Sequence, residues 1–245
     1  MAVLDPETPV REVLLTYPST LAVLERHRLD YCCGGARSVR VACERVGADP
    51  RTVLAELERA AAAPPPAPID DDVVSLMDHV VATHHRVTSE ALQTLPALAR
   101  KVATVHQSEA PYLRKLSEVV LELFAELEAH LQREERVLFP YVRELAEAAS
   151  DGRPAPRPTF QTAARPIHVM RSDHESAGAL VEEIRQLTHG YTVPEGACTS
   201  WRALYQGLEA HTKDLMRHVW IENEVLFPKA LALESSMRTR ADNAA

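Results

Sequence analysis

The sequence predicts an all-α protein: a small helical domain over residues 1–60, a proline-rich linker over 61–69, a four-helix bundle over 70–235 and a tail over 236–245. Three observations lead there. Only 8 glycines and 5% aromatic residues stand beside abundant Ala, Leu, Glu and Arg, which favours helices over sheet. The motif H-x3-E-x3-L-F-P occurs twice, from His130 to Pro140 and from His218 to Pro228, 88 residues apart. His85 precedes the first copy by 45 residues and His174 precedes the second by 44, with turn-like stretches near both midpoints, Gln107 to Pro111 and Thr192 to Ala197. Each interval therefore reads as a helix, a turn and an antiparallel return helix.

In chain order, Val10 to Thr16 is a short helix, and Pro18-Ser19 opens a second that runs through Leu21, Leu24 and His27. Asp30-Tyr-Cys-Cys-Gly-Gly35 is a loop, because paired glycines break a helix. Ser38 caps a third helix. Asp49-Pro50 opens a fourth, with a capping side chain followed by proline at the first helical position. Val53, Leu54 and Leu57 form its apolar face. The run Ala61 to Pro68 is an extended, semi-rigid spacer. Asp70, Asp71 and Asp72 suit the positive end of a helix start. The four bundle helices are expected at 71–105, bent at Pro96, then at 112–148, 167–189 and 198–233. Ser150 to Pro166 is the long connection between the pairs, and the tail beyond 233 is expected to fray.

An apolar content of 46% permits a real core, and a net charge of -8 argues against a nucleic-acid-binding surface. The first residues lack the basic and apolar regions of a signal peptide. No apolar run approaches the ~20 residues of a membrane helix. Four cysteines do not form an extracellular disulfide framework, so a reducing cytoplasm is the expected compartment.

The repeated motif carries the chemistry. Residues four apart share a helix face, so each copy aims one imidazole and one carboxylate in the same direction. The Val-Leu-Phe that follows turns that face inward. A buried carboxylate beside a buried imidazole is costly unless it is compensated, and a shared metal compensates both copies at once. With the turns at the midpoints, His85, His130, Glu134, His174, His218 and Glu222 come to one height. Six such ligands suit two iron ions better than a four-coordinate zinc. His85 and His130 are expected on one iron and His174 and His218 on the other. Glu134 and Glu222 would bridge, with room for an oxo or hydroxo bridge. The order differs from the Glu-x-x-His of ferritin-like bundles, and the zinc-protease H-E-x-x-H is absent. A single His-x3-Glu is usually no more than a hydrogen bond; the duplication and the level placement separate this chain from that case.

Other candidates read less sharply. His84 faces ~100° away from His85 and should point outward. His106 lies ~30 Å along the helix from His85 and reads as structural. His168 is a candidate supporting group, and Glu126 either orients a ligand or lies on an exposed face. Cys32 and Cys33 are either a reactive pair, able to accept iron, form a mixed disulfide or cycle redox state, or one buried and one idle thiol. Cys43 and Cys198 read as structural.

Taken together these residues resemble the RIC family, di-iron proteins for the repair of iron centres. Asp30-Tyr-Cys-Cys-Gly-Gly35 is similar to the hallmark of that family's small N-terminal domain. Residues 70–233, with Ser172-Asp-His174-Glu-Ser-Ala-Gly178, Ala197-Cys-Thr-Ser-Trp201 and both repeated motifs, are similar to its hemerythrin-like domain. The resemblance implies a non-haem di-iron centre on His85, His130, Glu134, His174, His218 and Glu222. It assigns the Cys32–Cys33 pair to the repair function. The expected partners are damaged or apo iron–sulfur proteins, with nitric oxide or oxygen species as small ligands and iron donation as the repair step. Competing readings are nitric oxide reduction at the di-iron pair, a hemerythrin-like oxygen or nitric oxide binder or sensor, and a purely structural bundle. The oligomeric state stays open, a homodimer among the options.

Overall fold

A computed structural model describes residues 4–64 and 72–243 of the chain, with side chains as far as Thr239. Most of the expected spacer, together with Asp70 and Asp71, lies outside the described residues. Among those described there is no strand, only an isolated bridge between Pro9 and Ser38, and the all-α expectation holds. The chain forms two compact units. One is the chain up to Asp72 together with Met216–Leu226; the other is Val73–Leu215 together with the chain from Phe227.

In the first unit, α1 (Val10–Thr16), a tight turn at Pro18–Thr20, α2 (Leu21–Arg26), α3 (Val39–Val46) and α4 (Pro50–Ala61) follow one another. Ser38 accepts the Val41 N–H at 3.3 Å to start α3. Asp49 accepts the Arg51 and Thr52 N–H groups to start α4, with Pro50 first in the helix. Gly47 ends α3 at φ 71°, a left-handed conformation that glycine adopts at little cost. Val10, Leu24, Leu29, Tyr31, Val39, Cys43 and Leu57 fill the core. Arg217 and Glu25 form a two-bond ion pair in this unit, and Arg11 lies 3.8 Å from Glu224.

The second unit is built from long helices, three of which are interrupted by a single wide π-turn. The first helix line is α5 (Val73–Val80), a π-turn at Val81–His85 and α6 (Arg86–His106), and Pro96 sits inside α6 without ending it. The second is α7 (Tyr112–Arg133), a π-turn at Glu134–Leu138 and α8 (Phe139–Ser150). The third is α9 (Ala164–Leu187). The fourth is α10 (Thr199–Ile221), a π-turn at Glu222–Leu226 and α11 (Phe227–Asn243); its middle carries Met216–Leu226 of the first unit. Within the bundle α6 packs on α7, α7 on α9, α5 on α8 and α8 on α11. Thr88 meets His211, and Gly207 lets Leu95 approach where a Cβ would stand 2.6 Å from its methyl, so α6 also packs on α10.

Helical spacing explains the packing. Leu113, Leu116, Val120, Leu123, Phe124 and Leu127 recur every three or four residues along α7, and all are buried. The fourth helix line runs to Asn243 rather than fraying near 233. The reason is that Glu234 and Met237 are buried. Glu234 accepts the Tyr141 hydroxyl at 2.6 Å and the Ala163 N–H at 3.1 Å, which ties α11 to α8 and to the start of α9. Among the described residues no helix is long and apolar enough to cross a membrane.

Candidate metal centre

The two copies of the repeated motif fold alike. Each glutamate opens a π-turn, Glu134–Leu138 in the first copy and Glu222–Leu226 in the second. A π-turn re-aims side chains within a helix and recurs at functional sites. The proline that follows, Pro140 or Pro228, carries no N–H and makes no demand on the widened turn. The phenylalanine before it plates a histidine of the other helix in the same half. Phe139 stacks on His85 with ring centres 5.8 Å apart, and Phe227 stacks on His174 at 5.9 Å. The L-F-P ending is thus an aromatic wall for the site.

The distances are short. His85 Nε2 and His130 Nε2 each lie 3.4 Å from Glu134 Oε2. His130 Nε2 and His174 Nε2 lie 3.2 Å apart, and His218 Nε2 lies 2.9 Å from Glu222 Oε1. All six side chains are buried, Glu134 and Glu222 completely. They form two groups that could hold a metal ion, His85–Glu134–His218–Glu222 and His130–Glu134–His174–Glu222, each with ligand atoms within 4.8 Å of one another. Both groups contain both carboxylates. The histidines pair differently from the expectation, which put His85 with His130 and His174 with His218. Because α7 packs on α9, His130 meets His174, and His85 groups with His218.

Outer carboxylates fix the imidazoles. His85 Nδ1 lies 2.7 Å from Glu135 Oε1, and His130 Nδ1 lies 3.2 Å from Asp173 Oδ2. The His130 hydrogen bond, helped by Arg133 at 2.6 Å and opposed by burial, holds the Asp173 carboxyl below its ordinary range. An ionised carboxylate at Nδ1 takes the N–H there and leaves the Nε2 lone pair facing inward, as a metal ligand requires. The donor set therefore fits iron: four imidazoles, two of them with a carboxylate at Nδ1, two carboxylates shared between two groups, and burial that charge from a cation would offset.

Other readings from the sequence resolve as follows. His84 does not point outward; it is buried, with Nδ1 2.9 Å from Asp214 of α10, and it belongs to neither group. The partner lies on another helix, which a single-helix projection does not see. Glu126 is half-buried and accepts the Ser176 hydroxyl at 2.8 Å, while His168 is exposed and supports no ligand. Glu135, Asp173 and Asp214 were missed. Asp173 sits next to His174 in sequence, yet it serves His130 across two helices, and only the packing of α7 on α9 reveals that.

The cysteine loop belongs to the first unit. Its sulfurs lie 3.7 Å apart and are not joined in a disulfide. Asp30 accepts the Cys32 N–H at 3.1 Å and lies 3.4 Å from the Cys32 sulfur. The hydrogen bond to Cys33, burial and the Asp30 charge push the Cys32 thiol well up. Gly35 is required by space, because a Cβ there would strike the Tyr31 carbonyl, whereas one at Gly34 would meet only the ends of the Arg37 and Asp30 side chains.

Residues 76–230 match the hemerythrin HHE cation binding domain, and residues 6–61 match a domain of unknown function, DUF542. Among curated proteins, the iron-sulfur cluster repair protein YtfE of Enterobacter sp. (strain 638) is 35% identical over 233 residues, which cover 93% of this chain and 98% of that one. The proteins of the same name from Citrobacter koseri and Escherichia coli O17:K52:H18 are 34% identical over the same shares.

Proposed function

The chain belongs to the family of the iron-sulfur cluster repair protein YtfE, with its hemerythrin HHE domain, and from that premise we propose that it repairs damaged iron–sulfur clusters by donating iron. The observation that carries the proposal is the pair of buried four-residue groups that share Glu134 and Glu222. In this reading His85, Glu134, His218 and Glu222 hold one iron, and His130, Glu134, His174 and Glu222 hold the other. Iron held there would supply redox chemistry and would itself be the cargo. The chain's own part is to hold that cargo loosely enough to give it up. Glu135 and Asp173 keep the Nε2 lone pairs of His85 and His130 turned inward. Glu134 and Glu222, common to both groups, would serve either metal ion.

We assign Cys32 and Cys33 to the handling of iron or electrons during transfer. Two thiols 3.7 Å apart in one loop can take up a metal together once deprotonated. The protein acts in the cytoplasm in this reading, in keeping with four cysteines none of which is in a disulfide. Its partners are damaged or apo iron–sulfur proteins. The test is to mix the iron-loaded protein with an iron–sulfur hydratase inactivated by nitric oxide. Recovery of activity should exceed that with the same concentration of ferrous iron. Equal recovery would contradict donation, and nitrous oxide released beyond one equivalent per site would move the function to nitric oxide reduction.

A further inference from the structure

A second cluster of reactive groups lies in the bundle unit, at the end where α6 stops and α10 begins. His106 is the last residue of α6. Its Nε2 lies 3.2 Å from Cys198 Sγ, and its Nδ1 lies 3.3 Å from Glu109 Oε2. A thiol, an imidazole and a carboxylate thus stand in line, the order in which a base and its orienting group serve a cysteine nucleophile. This contact joins residues 92 apart in the chain, both of which the sequence reads as structural.

The placement of Cys198 favours charge separation. Cys198 directly precedes α10, and its carbonyl accepts the Arg202 N–H, so its side chain sits at the helix N-terminus. The partial positive charge there stabilises an anion. The Trp201 N–H and then His106 hold the Cys198 thiol below its ordinary range, opposed by burial and helped further by the Ser200 N–H. In turn Cys198 and then Glu109 hold His106 above its ordinary range. The Trp201 ring lies 4.9 Å from the imidazole and shields one side of it. Cys198 is half-buried, and solvent reaches it. The contrast with Cys32, whose thiol is pushed up, is within one molecule.

We propose that Cys198, paired with His106 and Glu109 at the start of α10, is a modification site: a thiolate that exchanges with low-molecular-weight disulfides. The balance is simple. The Cys198 thiolate attacks one sulfur of the disulfide, a new S–S bond to Cys198 forms, and the original S–S bond breaks. Cys198 is oxidised and the leaving sulfur is reduced. His106 Nε2 gives its proton to the leaving thiolate, so the products are a mixed disulfide on Cys198 and one free thiol. A second thiol reverses the step. The modification separates the sulfur from His106, which places a removable bulk between the end of α6 and the start of α10. It does not depend on the repair reading.

The experiment uses the full-length, iron-loaded protein. Iodoacetamide is added at pH values from 5.5 to 9, and the labelling rate is followed for each cysteine by mass spectrometry. The titratable group that faces the sulfur is His106 from the end of α6, with Glu109 behind it at Nδ1; Arg202 of the sulfur's own helix turns its Nε to the Ala197 carbonyl. Cys198 should label ~10-fold faster than in His106→Gln at pH 6.5, with a pH midpoint below that of an ordinary thiol. Glu109→Gln should lie between the two. Oxidised glutathione should leave one adduct at Cys198, removed by dithiothreitol. His106→Gln must keep the iron spectrum of the parent, and if it does not, the pH midpoint of Cys198 in the unsubstituted chain decides alone. An ordinary thiol midpoint at Cys198, or no adduct there, would overturn the proposal.

Discussion

The two halves of the bundle are alike where they hold ligands and unlike just behind them. In each, a glutamate opens a π-turn, a histidine four residues earlier shares its direction, and a phenylalanine five residues later plates the other histidine of that half. Behind this layer the repeat fails. Glu135, which holds His85 Nδ1, corresponds to Asn223 in the second copy. The residue before the first helical histidine is His84 in one half and Asp173 in the other. His84 turns to Asp214, while Asp173 holds His130 and Arg133. The lesson is that geometry at the ligands is set by local helix rules, which duplicate, whereas the supporting carboxylates are set by contacts between particular helices, which do not.

The largest effects should come from breaking what the halves share. Phe139→Ala and Phe227→Ala each remove a buried ring, and each should cost ~3–5 kcal/mol of unfolding free energy in urea titrations of the metal-free protein. Phe227, fully buried, should sit at the upper end and Phe139, 5% exposed, below it. A cost under 1 kcal/mol for either would show that the L-F-P ending is not the wall described above.

Smaller effects should expose what the halves do not share. Asp173→Ala removes the partner of His130 Nδ1 and should weaken iron binding ~10–100-fold in chelator competition. Glu135→Ala should weaken it less, because that carboxylate side chain is 46% exposed and water can take its place at His85 Nδ1. Equal losses, or a larger loss for Glu135→Ala, would mean that burial of the outer carboxylate does not matter.

The same division explains what could be read in advance. The helices, their turns and the six inward candidate ligands follow from patterns within one or two helices: i,i+4 spacing, apolar faces, and equal distances from a turn. His84 against Asp214 and His130 against Asp173 depend on which helix neighbours which, and no periodicity carries that. The π-turns were hidden too, since Val81–His85 and Glu134–Leu138 keep ordinary helical composition. The end of the last helix was misplaced because Glu234, a charged residue that usually faces water, is buried here by a partner 93 residues away, Tyr141. The Cys198–His106 pair escaped for the same reason as the outer carboxylates.

The central claim is that Glu134 and Glu222 are shared by two metal ions, and the most direct measurement is iron content with an absorption spectrum. It should be made on the purified protein and on Glu134→Ala and Glu222→Ala. The account predicts about two irons per chain, the composition of a dinuclear site, with near-ultraviolet bands lost in both variants. No iron, or a single zinc that survives both substitutions, would contradict it.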